Sequence, residues 1–119
     1  MQQQGKGAGK DNSPKILSQF NDLVNMNPEE LQQWLSTNEA QQVAYKEASS
    51  DESVGHVAGQ RIMEIIQKDR EELDESDFAH MERTINFIKR HFDQRPAGDL
   101  TQTEWRYRLM NWGHDPIKK

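Results

Sequence analysis

The residues whose chemistry has to be tested first are four histidines, His56, His80, His91 and His114, because imidazole serves both as a metal ligand and as an acid or base near neutral pH. A metal site needs ligands one helical turn apart or brought together by the fold. His80 and His91 stand eleven residues apart, roughly 16 Å along one helix at about 1.5 Å per residue, too far to share an ion. No His-Glu-x-x-His motif occurs. The chain has no cysteine, which removes thiolate zinc, iron–sulfur clusters, disulfides and a cysteine nucleophile. The carboxylates cluster between Asp69 and Asp77, where a run of acids marks a solvated, dipole-favoured helix boundary, whereas catalytic pairs need one buried and one exposed member. There is no Gly-x-Ser-x-Gly elbow, phosphate loop or dinucleotide fingerprint. The expectation is therefore no metal, no cofactor and no catalytic residue. The weaker enzymatic reading uses His56 or His114 beside a carboxylate.

The cations are the second set. Arg83, Asn86 and Arg90 fall on one helical face, and Lys89, Arg95, Arg106 and Arg108 follow close by. Arginine and lysine position phosphates and asparagine reads a base edge. Arg106-Tyr107-Arg108 places an aromatic between two arginines, a pattern suited to protein hot spots and to single-stranded stacking. The charge distribution bears on this reading. Residues 1–26 carry net +1, 27–82 carry -10 and 83–119 carry +4, giving -5 overall. A basic end can signal an anionic partner. The bland reading is that Arg83 and Arg90 pair with Glu82, Asp93 or the acidic middle, and a sequence pI near 5.3 is unlike that of most nucleic-acid binders.

Helices must position these groups, and their boundaries are legible. Ser13-Pro14 reads as a cap followed by a first-turn proline, with Ile16, Phe20, Leu23 and Val24 at helical spacing. Asn27-Pro28-Glu29-Glu30 reads as a capping box, and Leu31, Trp34 and Leu35 as the apolar face behind it. Glu39 to Ser50 reads as a weak helix or an ordered loop. Ser49 to Glu52 suggests another capping box, before Val54, Ala58, Ile62, Ile65 and Ile66. Asp74 with Asp77 starts the clearest amphipathic helix, carrying Phe78, Met81, Ile85, Ile88 and Phe92. Thr101 to Glu104 starts the last helix, with Trp105, Leu109 and Trp112 inward, Gly113 at its end and Pro116 beyond. Gly55 and Gly59, one turn apart, imply close approach of another helix or of a ring, Trp105 or Trp112. The functional alternative at these glycines is an open groove for a partner.

No alternating strand pattern occurs. The fold class expected is all-α, a compact bundle of four to five short helices. It spans residues 14–119 as one domain behind a disordered tail, residues 1–13, which are too polar to offset their ordering entropy. No apolar stretch approaches the roughly 18 residues needed to span a bilayer, and no secretory leader is seen, so the expected location is the cytoplasm.

The segments Phe20 to Met26, Ser53 to Gly59 and Trp105 to Pro116 resemble a family, the small bacterial and fungal proteins grouped as domain of unknown function 3140. The resemblance spans roughly Lys15 to Lys118. It implies no established activity and no functional residues, although members often carry a generic DNA-binding label. The function expected is a non-enzymatic binding module with DNA as candidate partner, through Arg83, Asn86, Lys89, Arg90, Arg95, Arg106 and Arg108. The alternative is a protein-interaction or structural module.

Overall fold

A computed structural model describes the backbone of residues 7–47 and 54–118 and the side chains of residues 13–43 and 57–118. Among these residues all regular structure is helical: α1 (Gly7–Leu23), α2 (Pro28–Leu35), α3 (Asn38–Glu47), α4 (Val54–Ile66), α5 (Glu75–Phe92) and α6 (Glu104–Asn111), with one 3-10 turn at Arg70–Glu72.

The local signals behave as their chemistry requires. Asn27 Oδ1 accepts the Glu30 N–H at 2.8 Å while Glu30 Oε1 accepts the Asn27 N–H at 2.9 Å, the reciprocal pair of a capping box. Asp74 and Asp77 do the same for α5. The Thr103 hydroxyl caps α6 by accepting the Arg106 N–H. At the other end of α6, Gly113 has φ +83°. Its N–H donates to the Met110 carbonyl, and the His114 N–H donates to the Leu109 carbonyl. This is a Schellman ending, which needs a residue without a Cβ penalty at positive φ.

The structure differs from expectation at three places. Helix α1 begins at Gly7 and carries Pro14 inside it, so the predicted start at Ser13-Pro14 is corrected. Proline favours the first turn because it has no N–H to give, but a helix can pass through it with the loss of one hydrogen bond. Residues 1–6 of the expected tail, and the capping box expected at Ser49 to Glu52, lie outside the described residues. The ambiguous stretch is a helix, α3, which raises the count from four or five to six. Its inward residues Ala40 and Val43 are small and give a weak hydrophobic pattern. The last of the predicted apolar positions of α5, Phe92, is 42% exposed, because the helix ends there.

Helices α4 and α6 sit centrally, each packed on α2, α3 and α5 and on each other, while α1 lies along α5. The core joins Phe20, Leu31, Leu35, Ile62, Met81, Ile88, Leu109 and Trp112. Helix α5 buries two stripes rather than one. The predicted apolar stripe includes Met81, Ile85 and Ile88. A second stripe, Asp77, His80, Thr84 and Phe87, is also buried and contacts α4 and the end of α6. Asp77 is fully buried. Its carboxylate takes Arg61 Nη2 at 3.0 Å and Lys68 Nζ at 2.7 Å. Burial alone would push its pKa up, but the hydrogen bonds from Lys68, the Asp74 amide and Arg61 prevail and hold it at about 2.

Candidate functional site

The seven polar residues singled out from sequence divide into two groups. Arg83, Asn86, Lys89 and Arg90 all project from α5 as exposed side chains, and Arg95 is exposed in the loop after it. Arg83, Asn86 and Arg90 occupy one face over about 10 Å of helix axis. Arg83 makes one long contact, Nη1 to His80 Nδ1 at 3.4 Å. Arg106 belongs to the other group. Its Nε and Nη2 donate to the two oxygens of Asp115 at 3.1 and 3.0 Å, and its Nη1 donates to the Thr101 carbonyl at 2.8 Å. This bidentate pair fixes α6 to the C-terminal segment and leaves Arg106 committed. Arg108 is half-buried and meets Glu104 at 3.4 Å. The structure therefore brings together the residues on α5 and sets Arg106 apart.

His80 and His114 are held by backbone carbonyls. His114 Nδ1 must carry a proton, since it lies 2.6 Å from the Leu23 carbonyl oxygen, which can only accept. His80 Nε2 donates likewise to the Ala58 carbonyl at 3.2 Å. Burial lowers the pKa of His80; the Ala58 hydrogen bond opposes this and the charges of Arg83 and Arg61 add to it. Burial lowers that of His91 too, with a backbone hydrogen bond at Phe87 opposing and the charges of Arg108 and Arg90 adding to it. Both rings are therefore neutral at pH 7. They belong to a stack that sequence reading missed. Trp112 lies nearly parallel to Phe87 with centroids 4.4 Å apart, Phe87 stacks on His91 at 4.0 Å, and His80 faces Trp112 at 5.9 Å. The signal was present, since residues 80, 84, 87 and 91 repeat at helical spacing, but three of the four are polar and escape a hydrophobicity pattern. Among the described residues no group of three or more His, Asp or Glu could hold a metal ion. The His56 side chain lies outside the described residues.

Gly59 is where two helices meet. A Cβ there would lie 2.6 Å from the Asn111 carbonyl oxygen and 2.9 Å from Leu35 Cδ1. Close approach is the reason for the glycine, as expected, but the neighbour is backbone and Leu35 rather than a tryptophan ring. At Gly59 the groove reading is overturned, because the space is filled. Asn111, fully buried, accepts Trp34 Nε1–H at 2.7 Å and donates to the Ala40 carbonyl at 3.0 Å. Asn25 and Asp115 exchange two hydrogen bonds, at 3.0 and 2.8 Å, and the Met26 N–H donates to the Gly113 carbonyl. The segment Trp105 to Pro116 thus touches both of the other segments that carry the sequence resemblance, one at Asn25 and Met26 and the other at Gly59.

No helix among the described residues is long and apolar enough to cross a membrane. No curated protein and no solved structure matches the chain. Residues 19–110 match the family model described as protein of unknown function (DUF3140), a span that runs from the middle of α1 almost to the end of α6, and the chain belongs to that family.

Proposed function

We propose that this protein is a non-enzymatic binding module that meets a polyanion, with duplex DNA as the candidate, through the outer face of α5. The observation that carries the reading is the state of its cations. Lys89, Arg90 and Arg95 are exposed and make no hydrogen bond or ion pair with the described residues, so among those residues Arg90 pairs neither with Asp93 nor with the acidic middle. Asn86 stands among them. Cations already desolvated by an internal carboxylate gain little from a phosphate, whereas solvated ones release counterions on binding. Arg106 is left out of this interface for that reason. The acidic middle of the chain weighs against tight binding, so the affinity expected is micromolar and strongly salt-dependent. Fluorescence-anisotropy titration with duplex and single-stranded DNA at two salt concentrations tests it. Arg90→Ala should lower the salt slope by about one unit. Absence of binding at low salt removes the reading and leaves a protein-interaction or structural module.

A further inference from the structure

Between α4 and α5 lies an open cleft of about 480 Å³, within the roughly 300–1,000 Å³ of small-molecule sites. Its shape follows from the sequence. Val57, Arg61 and Glu64 repeat at helical spacing along one side of α4, and His80 and Arg83 stand one turn apart on α5. Ala58, Gln60 and Trp112 complete the lining. The two walls are cross-linked. The His80 Nε2–H donates to the Ala58 carbonyl, and Arg61 Nη2 donates to Ser76 Oγ at 2.8 Å and Asp77 Oδ1 at 3.0 Å. A cleft held open by such bonds needs no reorganisation to accept a ligand.

The lining combines three chemistries. Val57 is 53% exposed, one of the few large apolar side chains left uncovered among the described residues, and it stands beside the buried rings of Trp112 and His80, which reach the cleft only at their margins. Arg83 is an exposed cation whose only described partner is the ring nitrogen of His80. Glu64 is an exposed carboxylate on the opposite helix. Arg61, the other cation of the lining, is committed to Ser76 and Asp77, so an apolar surface flanked by one available cation and one anion matches a molecule that is zwitterionic at one end and flat and apolar at the other. We propose that this cleft binds a free aromatic α-amino acid, its carboxylate on Arg83, its ammonium on Glu64 and its ring against Val57 and Trp112. This goes beyond the polyanion reading: it shares Arg83 with that face of α5 and draws its other contacts from α4 and Trp112.

The test is a ¹H–¹⁵N NMR titration of the full chain with L-phenylalanine, phenylacetate and phenethylamine, each into the millimolar range. The Trp112 indole N–H and the backbone amides of Gln60 and Arg83 are the reporters. Trp112 is a suitable probe because its indole N–H has no hydrogen-bond partner among the described residues, while those of Trp34 and Trp105 are bonded elsewhere. The expected result is a saturable shift with L-phenylalanine, and weaker binding of both half-ligands. Arg83→Gln should weaken L-phenylalanine about tenfold, the loss of one charge-assisted hydrogen bond. Val57→Trp, at an exposed position and checked for folding by thermal melting, should abolish the shift. No saturable shift with L-phenylalanine overturns the proposal, as does undiminished binding by Val57→Trp or equal binding of phenylacetate. Failure here is separable from failure of the polyanion reading. Arg90→Ala should weaken DNA and leave the amino-acid titration unchanged, and Val57→Trp should do the reverse.

Discussion

The end of the molecule where the α1–α2 loop meets the C-terminal segment, and the outer face of α5, use the same residue types in opposite ways. At the first, Asn25, Asp115, Arg106 and Lys118 all hydrogen-bond to groups within the chain, with Lys118 Nζ reaching both the Asn25 carbonyl and Glu30 at 2.6 Å. At the second, Asn86, Lys89 and Arg90 face solvent. The distinctive sequence of the chain lies at the first. Asparagine, arginine and aspartate there satisfy one another and close the bundle, which accounts for their spacing without any ligand. On the proposed reading, recognition falls to the less distinctive face.

The largest effects are expected at the fastened end and at the helix contacts behind it. Asn111→Ala leaves the Trp34 N–H and the Ala40 carbonyl without partners and opens a void. The expected loss is about 3–5 kcal/mol, read as a shifted urea midpoint with unchanged m-value. Asp77→Asn removes a buried carboxylate from Lys68 and Arg61. Both cations are about one-third exposed and can rehydrate, so the expected loss is about 2–4 kcal/mol, at the lower side of broken buried pairs. The pH dependence identifies the cause. With a pKa held at about 2 against an ordinary 3.8, Asp77 contributes fully above 3.8 and loses its contribution as pH falls toward 2. Acid unfolding of Asp77→Asn should lack that component. Gly113→Ala should cost about 1–3 kcal/mol in thermal melting. The positive φ penalises any Cβ, and this one would lie 2.9 Å from Val24 Cγ1.

Smaller effects sharpen the contrast. His80 and His91 have pKa values lowered below the ordinary 6.5 by burial, so the unfolded chain takes up protons first as pH falls. Stability should be complete above about 6.5 and decline below it. A rise in melting temperature from pH 7 to 5.5 would contradict the buried, neutral stack. The smallest effect is expected on α5, where Arg90→Ala should change stability by no more than about 0.5 kcal/mol.

The helices were legible in the sequence wherever a cap and an apolar stripe agreed, as at Asn27, Asp74 and Gly113, and the start read at Thr101 to Glu104 falls at Thr103. They were obscured where packing used small or polar residues. Ala40 and Val43 bury α3 without a strong pattern. The second buried stripe of α5 rests on Asp77, His80 and Thr84, whose burial depends on partners in α4 and on the residues just beyond it, and no local pattern reveals such partners. The candidate site was half legible. Helical spacing grouped Arg83, Asn86 and Arg90 correctly, but the pairing of Arg106 with Asp115 depends on the turn at Gly113 bringing the chain back. The cleft between α4 and α5 was not legible at all, because its walls come from different helices and its floor from Trp112.

The central claim is that the fastened end holds the fold while α5 meets the partner. It is tested most directly by measuring DNA anisotropy and thermal melting side by side for Arg83→Ala/Arg90→Ala and for Arg106→Gln. The first variant should melt like the parent chain and lose salt-dependent DNA binding. The second should melt earlier yet bind DNA normally at temperatures where it is folded. If folded Arg106→Gln loses binding as the α5 variant does, or if the parent chain shows no binding at low salt, the division is contradicted.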